Sequence, residues 1–156
     1  CELAKQLGTS ISFDGGANRY RPELDDLLRF TDICIVARNF GEAATGETGI
    51  EAAANKLLEI TSTLVVITDG VRGSWIFPKE GAAFHQPAYL IEDSVDTTGC
   101  GDSFHGAFLY GLSKGMSLAE CSSLASGVAA LNTRKVGGRA ALPTFADVSD
   151  FIKDYE

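Results

Sequence analysis

The sequence alternates between segments with helical spacing and short apolar runs, and this alternation limits the folds available to the chain. ICIVA at residues 33–37 and TLVVIT at 63–68 are apolar almost throughout, which is typical of strands covered on both faces. TSISFD at 9–14 is a third strand candidate, and segments with helical periodicity precede and follow it. The order helix, strand, helix, strand, helix, strand predicts an α/β fold with a mainly parallel sheet.

The rest of the chain predicts a hairpin, one further strand and three closing helices. The hairpin covers residues 73–85, and the further strand is expected at 88–93. The first closing helix is expected to begin near Ser103. Capping boxes, in which a Ser or Thr and an acidic residue three positions later hold a helix N-terminus, are predicted at Thr48 and Glu51, at Ser117 and Glu120, and at Thr144 and Asp147.

Size and charge exclude several classes of protein. A chain of 156 residues is long enough for one domain with a hydrophobic core. Its formal net charge of −8 argues against a nucleic-acid surface, and no apolar run approaches the roughly 20 residues that span a bilayer. The four cysteines are scattered without a CxxC pair, so reduced thiols are expected. These features predict a cytoplasmic protein without nucleic-acid or membrane partners.

The stretch DTTGCGDSFHGAF, residues 96–108, combines a glycine-rich turn, a carboxylate and the start of an apolar helix. Gly99 and Gly101 permit positive φ and a close approach of the backbone to a ligand. Their amides and the helix N-terminus together form a suitable phosphate site. Asp102 is then either a general base, which accepts the proton of an attacking hydroxyl, or only a helix cap.

Two other nucleotide-binding motifs do not fit these residues. Phe104 stands where the GxGxxG fingerprint of dinucleotide-binding proteins needs its third glycine. The chain contains no GxxxxGKS or GxxxxGKT stretch, which excludes a P-loop. A Rossmann-type NAD(P)-binding oxidoreductase is therefore kept only as an alternative hypothesis.

The segment DTTGCGDSFHGAFL at 96–109 closely resembles the C-terminal signature of the ribokinase family of carbohydrate kinases, also called the PfkB family. Residues 39–42, NFGE, are similar to the family's NxxE motif, and 68–73 resembles its nucleotide-contacting loop. Residues 133–138, followed by Leu142-Pro143, are similar to its closing loop beneath the adenine. The four matches occur in the family's order, but they correspond only to the C-terminal half or so of a complete member.

The resemblance implies a ribokinase-like three-layer α/β sandwich. Residues 1–156 would be its C-terminal, nucleotide-binding portion, without the N-terminal half that carries most substrate contacts and the lid. The implied activity is transfer of the ATP γ-phosphate to a hydroxyl of a sugar or sugar-like substrate. Asp102 would be the general base, and the amides of Gly99, Cys100 and Gly101 would form the anion hole. A homodimer of the full-length form is also implied.

The same resemblance assigns ligand contacts along the chain. Glu42 would help to hold Mg²⁺ through water, together with Asn39. Asp96 and Thr98, with carbonyls of the 134–141 loop, would bind a monovalent cation such as K⁺. The implied nucleotide-binding residues are Asn39, Thr68, Gly70, Arg72, Gly73, Thr97, Asn132 and Gly137.

Two expectations come from the position of single residues. Asp14 and Arg19 follow the end of a predicted strand, where α/β proteins bind ligands, so they are candidate substrate contacts. Cys100 stands at a helix N-terminus, where a thiol ionises more readily than usual. A regulatory module that binds a nucleotide without transferring phosphate is a further alternative for the whole chain.

Overall fold

The computed structural model describes residues 1–61 and 63–155, and the chain divides into two compact units. The first unit contains Cys1–Asp69 and Trp75–His85, and the second contains Gly70–Ser74 and the residues from Gln86 onward. Each unit has its own buried cluster of apolar side chains.

The first unit contains most of a five-stranded sheet and four helices. The strands are adjacent in chain order, and the first three are parallel, as the helix–strand alternation predicts. The strands are β1 (Ser12–Gly15), β2 (Ile33–Ala37), β3 (Leu64–Thr68), β4 (Ser74–Pro78) and β5 (Phe84–Gln86). The helices are α1 (Glu2–Gln6), α2 (Asp25–Arg29), α3 (Arg38–Thr45) and α4 (Ile50–Ile60), with a 3₁₀ turn at Pro22–Leu24.

The core of the first unit lies between β2, β3 and the helices that follow them. Val36 and Ile67 are buried strand residues, and Phe40 and Leu57 reach the same cluster from α3 and α4. The Phe40 ring lies 5.5 Å from the ring of Phe13, measured between centroids. The apolar runs of the sequence therefore become interior strands because both of their faces are covered.

The second unit contains a 3₁₀ turn at Gly70–Arg72 and helices α5 (Cys100–Ser113), α6 (Leu118–Asn132) and α7 (Phe145–Tyr155). Glycines let these helices approach closely. A Cβ at Gly111 of α5 would lie 2.8 Å from Cys121 Sγ of α6, and one at Gly127 of α6 would lie 2.8 Å from a Val148 methyl carbon of α7. None of the helices in the described ranges is long and apolar enough to cross a membrane.

Two of the three predicted capping boxes form. Ser117 and Glu120 make both reciprocal bonds at the start of α6, and Thr144 and Asp147 do the same before α7. The box at Thr48 and Glu51 is wrong, because α4 begins at Ile50 with Gly49 as its N-cap and without a side-chain cap. Gly49 has φ +97° and donates its N–H to Glu42 Oε1 at 3.0 Å, which places the helix start after it.

Two other boundaries also differ from expectation. The segment 88–93 is irregular instead of a strand. Tyr89 packs its ring 4.8 Å from that of Tyr155, and Leu90 donates its N–H to the Tyr155 hydroxyl, so this segment is held by α7 and not by strand pairing. Helix α5 begins at Cys100, three residues before Ser103, which moves Asp102 inside the helix.

Candidate active site

The glycine turn before α5 has a conformation that only glycine adopts readily. Gly99 is the N-cap of α5 and has φ +75°, a left-handed conformation that is strained for other residues. A Cβ at Gly99 would lie 2.7 Å from Gly138 Cα and 2.8 Å from Gly138 O. The loop around Gly138 therefore packs directly on the turn.

Two side chains connect this loop to the turn. Asp96 accepts the N–H of Thr98 at 2.8 Å on one carboxylate oxygen and the N–H of Gly137 at 2.7 Å on the other. These bonds, with the Gly137 contact as the largest cause, hold the pKa of the Asp96 carboxyl below its usual value. Asn132 is fully buried and donates from Nδ2 to Thr98 O at 3.4 Å and to Gly138 O at 3.3 Å.

The backbone amides at the start of α5 are mostly unpaired. Cys100 donates its N–H to Thr97 O at 3.2 Å. Within the described ranges, the N–H groups of Gly99, Gly101 and Asp102 have no acceptor. Two of the three amides expected to form the anion hole are therefore available, and the amide of Asp102 lies next to them. Unpaired amides at a helix N-terminus favour an anion.

Asp102 is the third residue of α5 and is exposed. Gly99 is the N-cap, and the helix has no side-chain capping bond, so Asp102 does not cap α5. Its carboxylate makes no hydrogen bond or ion pair with any residue that the structure describes. This carboxylate is therefore free to accept a proton from a ligand, next to amides that favour a phosphate.

A cavity of about 800 Å³ opens beside Asp102 within the second unit. Its lining is mostly apolar and comes from α5, α6, α7 and the 138–144 segment, with Tyr110, Leu124 and Phe145 among the larger side chains. Sequence reasoning did not predict this cavity. The available signal was the i, i+4, i+8 spacing of Asp102, Gly106 and Tyr110, which places all three on one face of α5.

The Cys100 thiol points away from solvent. It is half-buried and donates from Sγ to Ala129 O at 3.4 Å. Burial is the main cause that raises the pKa of Cys100, and the charge of Asp96 adds to it, although the nearby Asn132 side chain opposes both. The expectation of a more readily ionised thiol is therefore wrong, because the side chain packs against α6 instead of lying over the helix N-terminus.

The second unit also contains the expected nucleotide-contacting turn, Gly70 to Gly73. Gly73 donates its N–H to Gly70 O at 3.0 Å and has φ +92°. A Cβ at Gly73 would lie 2.1 Å from Gln86 O, so the close approach of residues 86–88 requires glycine there. Arg72 and Thr97 are exposed.

The first unit places Asn39 and Glu42 on α3, directly after β2. Asn39 Oδ1 accepts the N–H of Asn18 at 3.3 Å, and its Nδ2 donates to Asn18 Oδ1 at 2.8 Å. Asn18 has φ +57°, which asparagine tolerates better than most residues. This pair connects the first turn of α3 to the loop after β1, the loop that carries Arg19.

Glu42 is held by two donors on one oxygen. Its Oε1 accepts Arg38 Nε at 2.9 Å and Gly49 N–H at 3.0 Å, and the Arg38 contact is the largest cause that lowers the pKa of Glu42. Arg38 also donates from Nη1 to Asp69 Oδ2 at 3.4 Å. Glu42 Oε2 has no partner among the residues that the structure describes. Sequence reasoning missed Arg38 and Asp69, because their contact joins positions 31 residues apart.

The remaining candidates also lie in the first unit. Thr68 ends β3 and donates its hydroxyl to Val36 O at 3.4 Å. Asp14 is an exposed residue of β1, opposite Ile35 of β2. Arg19 is exposed and lies against Gly16, where a Cβ would be 3.2 Å from Arg19 Cδ. No group of three or more His, Cys, Asp or Glu side chains that could hold a metal ion occurs in the described structure.

The parallel strands are those of an α/β protein, and the braced glycine turn with its unpaired amides is suited to an anion. The family model for pfkB family carbohydrate kinases matches residues 2–145. The chain belongs to the pfkB family of carbohydrate kinases. The recognition of the family is thereby confirmed, and similar solved structures confirm the ribokinase-like α/β fold.

Individual relatives agree with this assignment. An uncharacterized sugar kinase of Archaeoglobus fulgidus is 34% identical over 141 residues, which cover 88% of this chain and 55% of the relative. The 5-dehydro-2-deoxygluconokinase of Bacillus subtilis is 32% identical over 79% of this chain and 38% of its own length. An Arabidopsis thaliana ribokinase solved with ribose and ATP matches with a TM-score of 0.87 at 25% identity, over 97% of this chain and 50% of that one.

The chain thus spans about half the length, or less, of the relatives it matches. The match is nevertheless almost complete along this chain, and it includes the glycine turn, the NxxE segment and the 68–73 loop. Family membership gives no support to the Rossmann-type oxidoreductase alternative.

Proposed function

We propose that the protein is an ATP-dependent kinase that transfers the γ-phosphoryl group to a hydroxyl of a sugar or sugar-like substrate. The observation that carries the proposal is the exposed, unpaired Asp102 carboxylate beside unpaired amides at the N-terminus of α5. The hydroxyl proton passes to Asp102 while the hydroxyl oxygen forms the new bond to phosphorus and ADP leaves. The amides of Gly99 and Gly101, with that of Cys100 if its bond to Thr97 opens, stabilise the negative charge.

Glu42 fits the role of a magnesium ligand through water. Its Oε2 is unpaired within the described structure, and Mg²⁺ prefers oxygen ligands and retains several waters. When bound, Mg²⁺ neutralises charge on the nucleotide phosphates. Asn39 lies one turn earlier on the same helix and is proposed to assist, with its amide oriented by Asn18.

The other proposed nucleotide contacts differ in their accessibility. Exposed Arg72 and Thr97 are suited to direct contact with the nucleotide. Asn132 is fully buried, so its proposed contribution acts through the backbone segments that it connects. The remaining residues proposed to contact the nucleotide are Thr68, Gly70, Gly73 and Gly137.

The acceptor is proposed to be a small sugar or sugar acid. One relative was solved with ribose, a second is named 5-dehydro-2-deoxygluconokinase, and a third is named a probable fructokinase. Ribose, 5-dehydro-2-deoxygluconate and fructose are therefore the first acceptors to test. Asp14 and Arg19 are proposed substrate contacts at the end of β1. A homodimer of the full-length form stays a prediction.

The experiment compares Asp102→Asn with Asp147→Asn. Both aspartates are exposed third residues of a helix, but only Asp147 makes capping bonds, to Thr144. We expect Asp102→Asn to lower turnover by roughly 10²–10⁴-fold and to leave ATP affinity within a few fold. Asp147→Asn should lower the thermal midpoint and leave turnover unchanged. ADP release with each acceptor and calorimetry with Mg-ATP measure the two effects.

The outcomes separate the role of Asp102 from the function itself. Unchanged turnover in Asp102→Asn, in a wild type that phosphorylates a sugar, would remove Asp102 as the base and leave the kinase assignment intact. Binding of Mg-ATP without transfer to any hydroxyl acceptor would instead favour the regulatory-module alternative.

A further inference from the structure

Asn132, the last residue of α6, joins two backbone carbonyls that face each other across the glycine turn. Its side chain is fully buried, and its Nδ2 donates to Thr98 O at 3.4 Å and to Gly138 O at 3.3 Å. One amide nitrogen has two protons, so it can satisfy both carbonyls at once. Asp96 connects the same two segments as a hydrogen-bond acceptor, because its carboxylate accepts the N–H groups of Thr98 and Gly137.

The groups that Asn132 and Asp96 hold overlap with those to which the family resemblance assigns a monovalent cation. That site consists of Asp96, Thr98 and carbonyls of the 134–141 loop, to which Gly138 belongs. A cation placed between Thr98 O and Gly138 O would meet the Nδ2 protons that already point at these oxygens. The space between these two carbonyls therefore does not fit a cation, because the Asn132 NH₂ already supplies the positive partner of both oxygens there.

We infer that the side-chain NH₂ of Asn132 takes the place of a monovalent cation in bracing the glycine turn, so that the fold of this site is independent of K⁺. The inference takes the location of the cation site from the family resemblance and does not depend on the proposed function. It concerns the stability of the turn and not phosphoryl transfer.

The surroundings of Asn132 Oδ1 and Nδ2 show which end of the amide faces the two carbonyls. Its Oδ1 is buried and has no hydrogen-bond partner within the described structure. Exchanging the nitrogen and oxygen would place the oxygen against two carbonyl oxygens, so the hydrogen-bonding pattern itself fixes the orientation. A buried acceptor without a donor is destabilising. The NH₂ group is therefore the part of Asn132 that stabilises the turn, and its two bonds offset the unsatisfied oxygen.

The test measures thermal unfolding in KCl and in tetramethylammonium chloride at matched ionic strength. Wild-type protein should have the same Tm in both salts. Asn132→Ala removes the NH₂ and leaves two carbonyls that a cation can coordinate, so this variant should be less stable and should regain stability in K⁺. For K⁺ at about ten times its Kd, the folding equilibrium shifts about tenfold, which raises Tm by roughly 3–6 °C in a chain of this size.

Two additional variants make the result decisive. Asn132→Asp keeps the shape of the side chain but replaces the NH₂ donor with an acceptor, so it should also become K⁺-responsive if Asn132→Ala fails to fold. Ser122→Ala is the matched control, because Ser122 is equally buried on α6 and its side chain, within the described residues, bonds to Ala119 O of its own helix and to no other element. It should lose stability equally in both salts.

Two results overturn the inference. One is a wild-type Tm that rises in K⁺ relative to tetramethylammonium, which would mean that a cation site persists beside Asn132. The other is a folded Asn132→Ala or Asn132→Asp variant without a K⁺ response, which would mean that the NH₂ group occupies no cation position. Both readouts are independent of kinase activity, so they remain valid even if no sugar is phosphorylated.

Discussion

Gly99→Ala is the substitution whose effect the structure defines most closely. Alanine at φ +75° adopts the left-handed conformation at a cost of about 1–2 kcal/mol. Its Cβ would also lie 2.7 Å from Gly138 Cα and 2.8 Å from Gly138 O. Comfortable carbon contacts are about 3.5–4.0 Å, so the 138 loop must move by roughly 1 Å.

The two effects add to a measurable loss of stability. Overpacking of this kind typically costs about 1–3 kcal/mol, and the smaller conformational freedom of unfolded alanine returns about 0.4–1 kcal/mol. The expected net loss is about 2–4 kcal/mol in the free energy of unfolding. For a chain of this length that corresponds to a decrease of roughly 4–16 °C in Tm.

Gly101→Ala is the matched control, two residues further along. Gly101 lies within α5, its φ is not positive, and a Cβ there would have no neighbour within 4 Å. Alanine is favoured over glycine in a helix by up to about 1 kcal/mol, so this variant should be as stable as wild type or slightly more stable. Urea unfolding followed by circular dichroism measures both variants. Equal stability of the two would refute the argument that the 138 loop packs directly on Gly99.

Two other predictions test the side chains around the site. The lowered pKa of Asp96 means that its bonds to Thr98 and Gly137 add stability above the ordinary aspartate pKa of about 3.9, which is lost as the pH falls through the folded value. Asp96→Asn should therefore show a shallower loss of stability than wild type in urea unfolding between neutral pH and about pH 3. Arg38→Met removes one of the two donors on Glu42 Oε1, so the Mg²⁺ concentration for half-maximal activity should rise roughly tenfold. Lys56→Met, which breaks the exposed pair with Glu59, should leave it unchanged.

The sequence predicted those parts of the fold that depend on local pattern. β2 and β3 coincide with uninterrupted apolar runs, because strands covered on both faces need apolar residues at every position. The strand expected at 88–93 was wrong because this segment packs on α7 instead of pairing with a strand. The Tyr89 ring contacts the Tyr155 ring, and the Leu90 N–H donates to the Tyr155 hydroxyl. The Thr48 box was wrong because Glu42, seven residues before Gly49, accepts the Gly49 N–H and fixes where α4 starts.

The candidate site was predictable to the extent that it lies in one segment. Gly99, Gly101 and Asp102 are consecutive or nearly so, and a glycine-rich turn before a helix is a local signal. The contacts of Arg38 with Asp69 and of Asn132 with Thr98 and Gly138 join distant positions. No local pattern indicates such pairings, so the braces and the cavity required the folded structure.

The start of α5 bears directly on the two interpretations of Asp102. With a helix beginning near Ser103, Asp102 would occupy the capping position, and its carboxylate would be consumed by backbone amides. With the helix beginning at Cys100, Gly99 takes that position and the N–H groups at the helix start lack a side-chain acceptor. The exposed Asp102 carboxylate and the amides beside it are then both available to a ligand that donates a proton and carries negative charge. A hydroxyl attacking a phosphoryl group has both properties, which is why this geometry supports phosphoryl transfer over a structural role for Asp102.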